Sequence, residues 1–202
     1  VYFFSAARRI GGSSISEWGT RLGFGQPTGL DIPGERGGHL PLLAPPSSHQ
    51  RRVSPASGEA LQLAIGQARL TTTPLQIARL MALVANGGKL VTPRLVDAAG
   101  PARVLSDDND STAASQAPMQ ISGLSPRTLH VLRRGLSAVV ADPHGTGYKT
   151  VRLPDLTIAG KTGTAEAGGG KPDHAWFAGY VPAERPRIAC RCCCRSPGCW
   201  GA

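Results

Sequence analysis

The stretch LTIAGKTGTAE, residues 156–166, followed by HAWFAGYVP, residues 174–182, decides how this chain folds. Thr157, Ile158, Thr162 and Thr164 in the first segment, and Trp176, Phe177, Tyr180 and Val181 in the second, are residue types that fit a pleated, half-buried surface. Between them lies AGGGKPD, residues 167–173, whose glycines and proline suit no regular element. Two strands joined by so short a connection form an antiparallel hairpin.

Upstream of the hairpin the period changes from two to between three and four. In TPLQIARLMALVANGG, residues 73–88, Thr73 is placed as an N-cap, Pro74 occupies the first helical position, and Gln76 stands where a capping box needs its acceptor. Asn86, Gly87 and Gly88 then close the helix with residues that tolerate positive φ. KLVTPRLV, residues 89–96, alternates like a strand interrupted by Pro93, which marks an edge. Ser125 and Pro126 open a second long helix, with Leu129, Leu132, Leu136, Val139 and Val140 as its apolar stripe, ending before Asp142-Pro143. Two shorter helices are expected over residues 1–9 and over Ser14–Leu22, the latter stopped by Gly23 and Gly25. The rest is turn-rich: GQPTGLDIPGERGG (25–38), a loop over 41–58, and an exposed insertion over 98–120 that contains DDNDSTAASQ.

Composition agrees with a loop-rich α/β or α+β domain. The chain has 202 residues, 41% of them hydrophobic and 17% charged, with 26 Gly and 17 Pro. This is about one domain of chain, too apolar for a disordered polyelectrolyte and too poor in charge for a coiled coil. No run of eighteen apolar residues occurs, so no segment of it spans a membrane as a helix. The net charge of +9 comes from 18 Arg and only 4 Lys. Arg, Gly, Ala and Pro together are what GC-rich codons produce. The doublets Arg8-Arg9, Arg51-Arg52 and Arg133-Arg134 are scattered and not interleaved with aromatics, so nucleic acid is not the expected partner.

The chemistry concentrates in Lys161-Thr162-Gly163-Thr164. A Lys on a strand holds its ammonium on a rigid platform, two hydroxyls two positions apart share a face, and glycine lets a ligand approach the backbone. Such a rim binds a carboxylate. A strand edge also offers a backbone N–H to a developing oxyanion, which in acyl transfer is a large part of catalysis. A K-T-G tripeptide alone is weak evidence, and other segments accompany it. VYFF (1–4), LGFGQPTGLDIPGE (22–35), AIGQARLTTTPLQIARLMALVANGGKLVTPRLV (64–96), DPHGTGYK (142–149), IAGKTGTAE (158–166) and HAWFAGYVP (174–182) follow in one order.

That string resembles the transpeptidase domain of class B penicillin-binding proteins, of the elongation-associated kind. The resemblance implies the fold shared with serine β-lactamases, an antiparallel sheet flanked by helices. It also implies a serine acyl-enzyme mechanism on D-Ala-D-Ala stem peptides, needing neither cofactor nor metal. Lys161 and Thr164 are then the catalytic residues present, and Lys161, Thr162, Gly163 and Thr164 line the substrate. Lys161 tunes the site beside the substrate carboxylate, Thr162 and Thr164 hydrogen-bond that carboxylate, and the Thr164 N–H supplies half of the oxyanion hole. His174, Trp176 and Phe177 support the neighbouring strand and do not react. The implied partners are peptidoglycan stem peptides, β-lactams and membrane proteins of the elongation complex. The implied location is the outer face of the cytoplasmic membrane.

Several departures accompany the matches. The chain contains no S-x-x-K. In the family VYFF follows the S-x-N motif, so the nucleophilic serine, its lysine and the membrane anchor are expected upstream of Val1. Ala68 stands where the family usually has Gly, and Gly147 where it usually has Ala. A β-lactam sensor or a scaffold on the same fold is an alternative, against which the elongation-type segment 73–88 argues, and an inactive truncated gene product is another. A chain without the flanking elements leaves edges and apolar faces open to aggregation.

All five cysteines lie at the end, as Cys190, Cys192, Cys193, Cys194 and Cys199 in CRCCCRSPGCWGA. Residues 1–189 are accordingly read as the transpeptidase part and 190–202 as a frame-shifted tail. The family has a Val-rich strand here, and one permitted set of codons, TGT CGG TGT TGT TGT, read from its second base, turns every Cys of CRCCC into Val. A thiolate metal site is the rival, and it lacks a well-placed histidine.

Overall fold

A computed structural model describes residues 2–43, 58–95, 117–165 and 173–194. The expected insertion over 98–120, the loop over 41–58 and the end of the tail fall largely outside these residues.

Five helices and five strands occur among the described residues: α1 (Tyr2–Ile10), α2 (Gly12–Arg21), α3 (Gly58–Leu63), α4 (Pro74–Ala85), β1 (Lys89–Leu90), β2 (Met119–Gln120), α5 (Pro126–Ala141), β3 (Ala159–Ala165), β4 (His174–Val181) and β5 (Ile188–Cys194). The fold is α+β with antiparallel sheets. β3, β4 and β5 form one sheet in that order, and β1 pairs with β2 in a second, two-stranded one. The expected hairpin is the β3–β4 pair, with Lys161 opposite Ala178, Gly163 opposite Trp176 and Ala165 opposite His174.

The caps read from the sequence are present. Gln76 N donates to Thr73 Oγ1 at 3.2 Å and Thr73 N donates to Gln76 Oε1 at 2.9 Å, the reciprocal bonds of a capping box. Ser125 Oγ accepts from Thr128 N at 3.1 Å at the start of α5. At the far end of α4, Asn86 closes the turn by bonding both the N–H and the C=O of Lys89, each at 2.9 Å, and Gly87 and Gly88 adopt φ of 89° and 91°.

α4 packs on β4 and β5, and α5 packs on β3. Their common core joins Met81, Leu83 and Val84 of α4 to Leu90, Ile121, Ala159, Ala178 and Tyr180, with Trp18, Leu22 and Leu136 against it. The apolar stripe of α5 departs from its expected form. Leu132 is 43% exposed, and the seam position beside it belongs to Arg133. That guanidinium donates to Val84 O and Ala85 O, both at 2.9 Å, satisfying carbonyls that the end of α4 leaves open. A charged side chain thus takes the place periodicity assigned to leucine.

Three further differences are local. α3 has only six residues, too few for a periodicity to show. β2 falls within the stretch read as an insertion, and only Lys89–Leu90 of the expected 89–96 strand pairs with it. β5 runs on past Ala189 and keeps its register with β4 through Cys194, so the sheet edge there is not lost at Ala189. Tyr2 and Phe3 are exposed on α1, where their rings meet edge to face.

The turn-rich segment between α2 and α3 is held by polar side chains, buried at Gln76 and half-buried at Glu35. Gln76, 3% exposed, uses its amide to donate to Gly37 O at 2.7 Å and Gln26 O at 2.9 Å while its Oε1 serves the capping box. Glu35 accepts from Thr28 N, Thr28 Oγ1, Gly29 N and Leu30 N between 2.5 and 3.2 Å. Partial burial alone pushes the Glu35 carboxyl up, but these four donors outweigh it and hold it below its ordinary range.

Candidate active site

β3 is the last strand of its sheet among the described residues, with β4 on one side only. The Lys161-Thr162-Gly163-Thr164 segment therefore lies on a sheet edge. Lys161, Gly163 and Thr164 are exposed and Thr162 is half-buried. β-Strand alternation puts Lys161 and Gly163 on one face and Thr162 and Thr164 on the other.

The Lys161 ammonium donates to its neighbour's Thr162 O at 2.6 Å and approaches Thr162 Oγ1 at 3.4 Å. No carboxylate pairs with it among the described residues, so this cation stays available to an anion at the strand edge. Gly163 keeps the strand surface low, since a Cβ there would meet only Trp176 Cβ at 3.6 Å. Gly160 is the crowded position: a Cβ would lie 2.3 Å from the Phe177 ring and 2.6 Å from Ala178 O. Glycine at that point allows β3 and β4 to close beneath the site.

The three residues assigned to support behave differently from one another. Phe177 is 5% exposed. Trp176 is half-buried, with the Arg191 guanidinium of β5 stacked 3.2 Å from its ring centroid. His174 is half-buried opposite Ala165. His174 Nδ1 and Trp176 Nε1 are buried and have no hydrogen-bond partner among the described residues.

A residue to which sequence reasoning gave no role also reaches the site. Thr146, from the DPHGTGYK segment after α5, places its Oγ1 2.6 Å from Thr162 Oγ1. The signal available in the sequence was the pair of glycines that flank Thr146.

The cysteines of β5 lie two strands away from Lys161. Cys190 and Cys192 are exposed, unpaired thiols. Partial burial pushes the Cys190 thiol up, and Cys192 adds to this. Among the described residues no group of three or more His, Cys, Asp and Glu side chains is placed to hold a metal.

The Lys-Thr-Gly-Thr strand thus lies at the edge of an antiparallel sheet on which helices pack. The chain belongs to the penicillin binding protein transpeptidase domain family, which it matches over residues 1–197. It is 31% identical to the peptidoglycan D,D-transpeptidase MrdA of Haemophilus influenzae over 93% of its length and 30% of that protein's. To the protein of the same name from Acinetobacter baumannii it is 32% identical, over 94% of its own length and 29% of the relative's. Among solved structures, penicillin-binding protein PBP2 from Helicobacter pylori superposes with a TM-score of 0.74 at 29% identity, covering 96% of this chain and 33% of the other. The chain thus spans about 30% of the length of the curated relatives it matches. The family match extends past Ala189 into the cysteine-rich strand. No helix among the described residues is long and apolar enough to cross a membrane.

The two positions read from the resemblance as departures, Ala68 and Gly147, have a definite local geometry. Ala68 has φ of 66°, the left-handed region where a Cβ is strained and glycine is not. Gly147 has room for most of an alanine: its Cβ would lie 3.2 Å from Val139 O and 3.4 Å from Val140 Cγ2, a contact relieved by a small shift.

Proposed function

We propose that this chain is the C-terminal part of the transpeptidase domain of a peptidoglycan D,D-transpeptidase, and that β3 is its substrate-binding strand. In this reading Lys161 sits by the terminal carboxylate of the D-Ala-D-Ala donor, and the hydroxyls of Thr162 and Thr164 donate to it. The Thr164 N–H faces the oxyanion, and Gly163 leaves room for the substrate backbone. A serine from an S-x-x-K outside these 202 residues attacks the penultimate carbonyl. D-Ala leaves with a proton as the acyl-enzyme forms, and the amine of a second stem peptide takes the acyl group and releases the serine. β-Lactams enter the same site as donor mimics and remain at the acyl stage. What carries the reading is the Lys161-Thr162-Gly163-Thr164 segment on an exposed sheet edge, its ammonium unpaired with any carboxylate among the described residues.

The full protein is read as anchored in the cytoplasmic membrane with this domain outside it, among membrane proteins of the elongation complex. A PBP2 from Helicobacter pylori, 28% identical to this chain, has been solved in complex with MreC, which supports a partner of that kind. The tail from Cys190 is read as frame-shifted: β5 keeps strand pairing with β4 although thiols stand where valine is usual. Resequencing the locus tests it, and an independently confirmed frame overturns it.

Fluorescent penicillin tests the function. A full-length protein containing this segment and its S-x-x-K is expected to give a covalent band that survives boiling, and the 202-residue chain none. A stable band on the short chain, or none on the full-length protein, contradicts the reading.

A further inference from the structure

Thr146 is held with more care than a surface threonine requires. The loop after α5 folds back on the helix end: Gly145 N donates to Asp142 O at 2.8 Å, Gly147 N to Val139 O at 2.9 Å, and Tyr148 N to Gly145 O at 3.1 Å. Asp142 Oδ1 accepts from His144 N at 2.8 Å in the turn that begins this loop. Only glycine fits at 145, because a Cβ would lie 2.3 Å from Val139 O and 2.6 Å from Ala138 O. Gly145 and Gly147 flank Thr146, and the close approach at Gly145 seats the loop against the end of α5, which itself packs on β3. The side chain between them arrives at Thr162 Oγ1, 2.6 Å away.

The hydrogen inventory at Thr162 gives this contact a direction. A hydroxyl has one proton to donate and two lone pairs to accept with. Lys161 Nζ approaches Thr162 Oγ1 at 3.4 Å and carries only donors. If Thr146 also donates, both lone pairs of Thr162 are engaged and its proton is free for a third group. An anion at the strand edge is the group that uses it. If Thr162 instead donated to Thr146, it would present a lone pair to the anion, which repels it.

We infer that Thr146 is a positioning residue for the carboxylate rim: its hydroxyl donates to Thr162 Oγ1 and thereby commits the Thr162 proton to the substrate carboxylate. The inference rests on the proposed role of β3 and adds to it a residue that does not itself touch substrate. Thr146 acts on carboxylate recognition specifically, because the oxyanion donor and the nucleophile do not depend on the Thr162 proton.

The test uses the full-length protein and measures acylation rate constants for a penicillin with its free carboxylate and for the methyl ester of the same penicillin. Thr146→Val, which keeps the shape and removes the donor, is expected to slow acylation by the free acid about tenfold and leave the ester nearly unchanged. Thr146→Ser, which keeps the hydroxyl, is expected to retain the preference for the acid. Equal losses on acid and ester in Thr146→Val, or no loss on either, overturn the role. Lys161→Ala is run alongside. If it slows the acid and Thr146→Val does not, only the inference about Thr146 falls; if Lys161→Ala changes nothing, the rim itself is wrong and both fall.

Discussion

Two regions of this molecule are both rich in polar side chains and use them in opposite ways. Around the turn-rich segment, Gln76 and Glu35 spend their hydrogen-bonding capacity on backbone groups of their own fold, and Gln76 is almost wholly buried. Along β3, the Lys161 ammonium finds only its neighbouring residue and stays exposed. The first region turns polar chemistry into shape, since every buried donor and acceptor there replaces a bond to water. The second leaves a cation and hydroxyls along a sheet edge. Changes in the first should cost stability and leave the chemistry alone, and changes in the second should do the reverse.

The largest structural effect is expected at Gln76. Gln76→Leu leaves Gly37 O and Gln26 O without their donor and opens the capping box, and should destabilise the full-length protein by about 2–3 kcal/mol by denaturant unfolding. Thr73→Ala, which removes only the cap, should cost about 1 kcal/mol. If the two variants unfold alike, the amide's bonds to the loop carry no weight and the contrast between the regions weakens. Ala68→Gly should move the other way, stabilising by about 0.5–1 kcal/mol, because relief of the left-handed strain exceeds the added chain entropy. An unchanged or lower unfolding midpoint contradicts that assignment.

The smallest effect is at Glu35 and depends on pH. Its folded carboxyl titrates below the ordinary 4.5, so its stabilisation is present above that pH and is lost as pH falls through the folded value. Unfolding curves of the parent and of Glu35→Gln should therefore lie apart at pH 7 and converge below about pH 4.5. Parallel curves across that range remove the carboxylate from the account.

How legible each region was in the sequence follows from the range of its interactions. α4 and α5 were readable because caps such as Thr73, Pro74 and Ser125 act within four residues of themselves. The β3–β4 hairpin was readable because its two strands are adjacent in the chain, and the candidate rim is a contiguous stretch of one of them. The local bond of Gln76 at Thr73 is legible in the sequence, while its bonds to Gln26 and Gly37 cross about fifty and forty residues and leave no local pattern. Arg133 was hidden for the same reason: its partners are carbonyls of α4, so periodicity gave the inward position to Leu132. Thr146 and Thr162 are sixteen residues apart, joined only after α5 has packed on β3. The strand at Met119–Gln120 has two exposed residues and no apolar alternation to reveal it.

Lys161→Ala in the full-length protein tests the central claim most directly, with the acylation rate by a carboxylate-bearing penicillin and the melting temperature measured on one preparation. The account predicts a fall in acylation of at least tenfold, the loss of a charge-assisted contact to the carboxylate, with a melting temperature within about a degree of the parent because the exposed ammonium supports no packing. Unchanged acylation would contradict it, and so would a loss of acylation matched by a loss of folding.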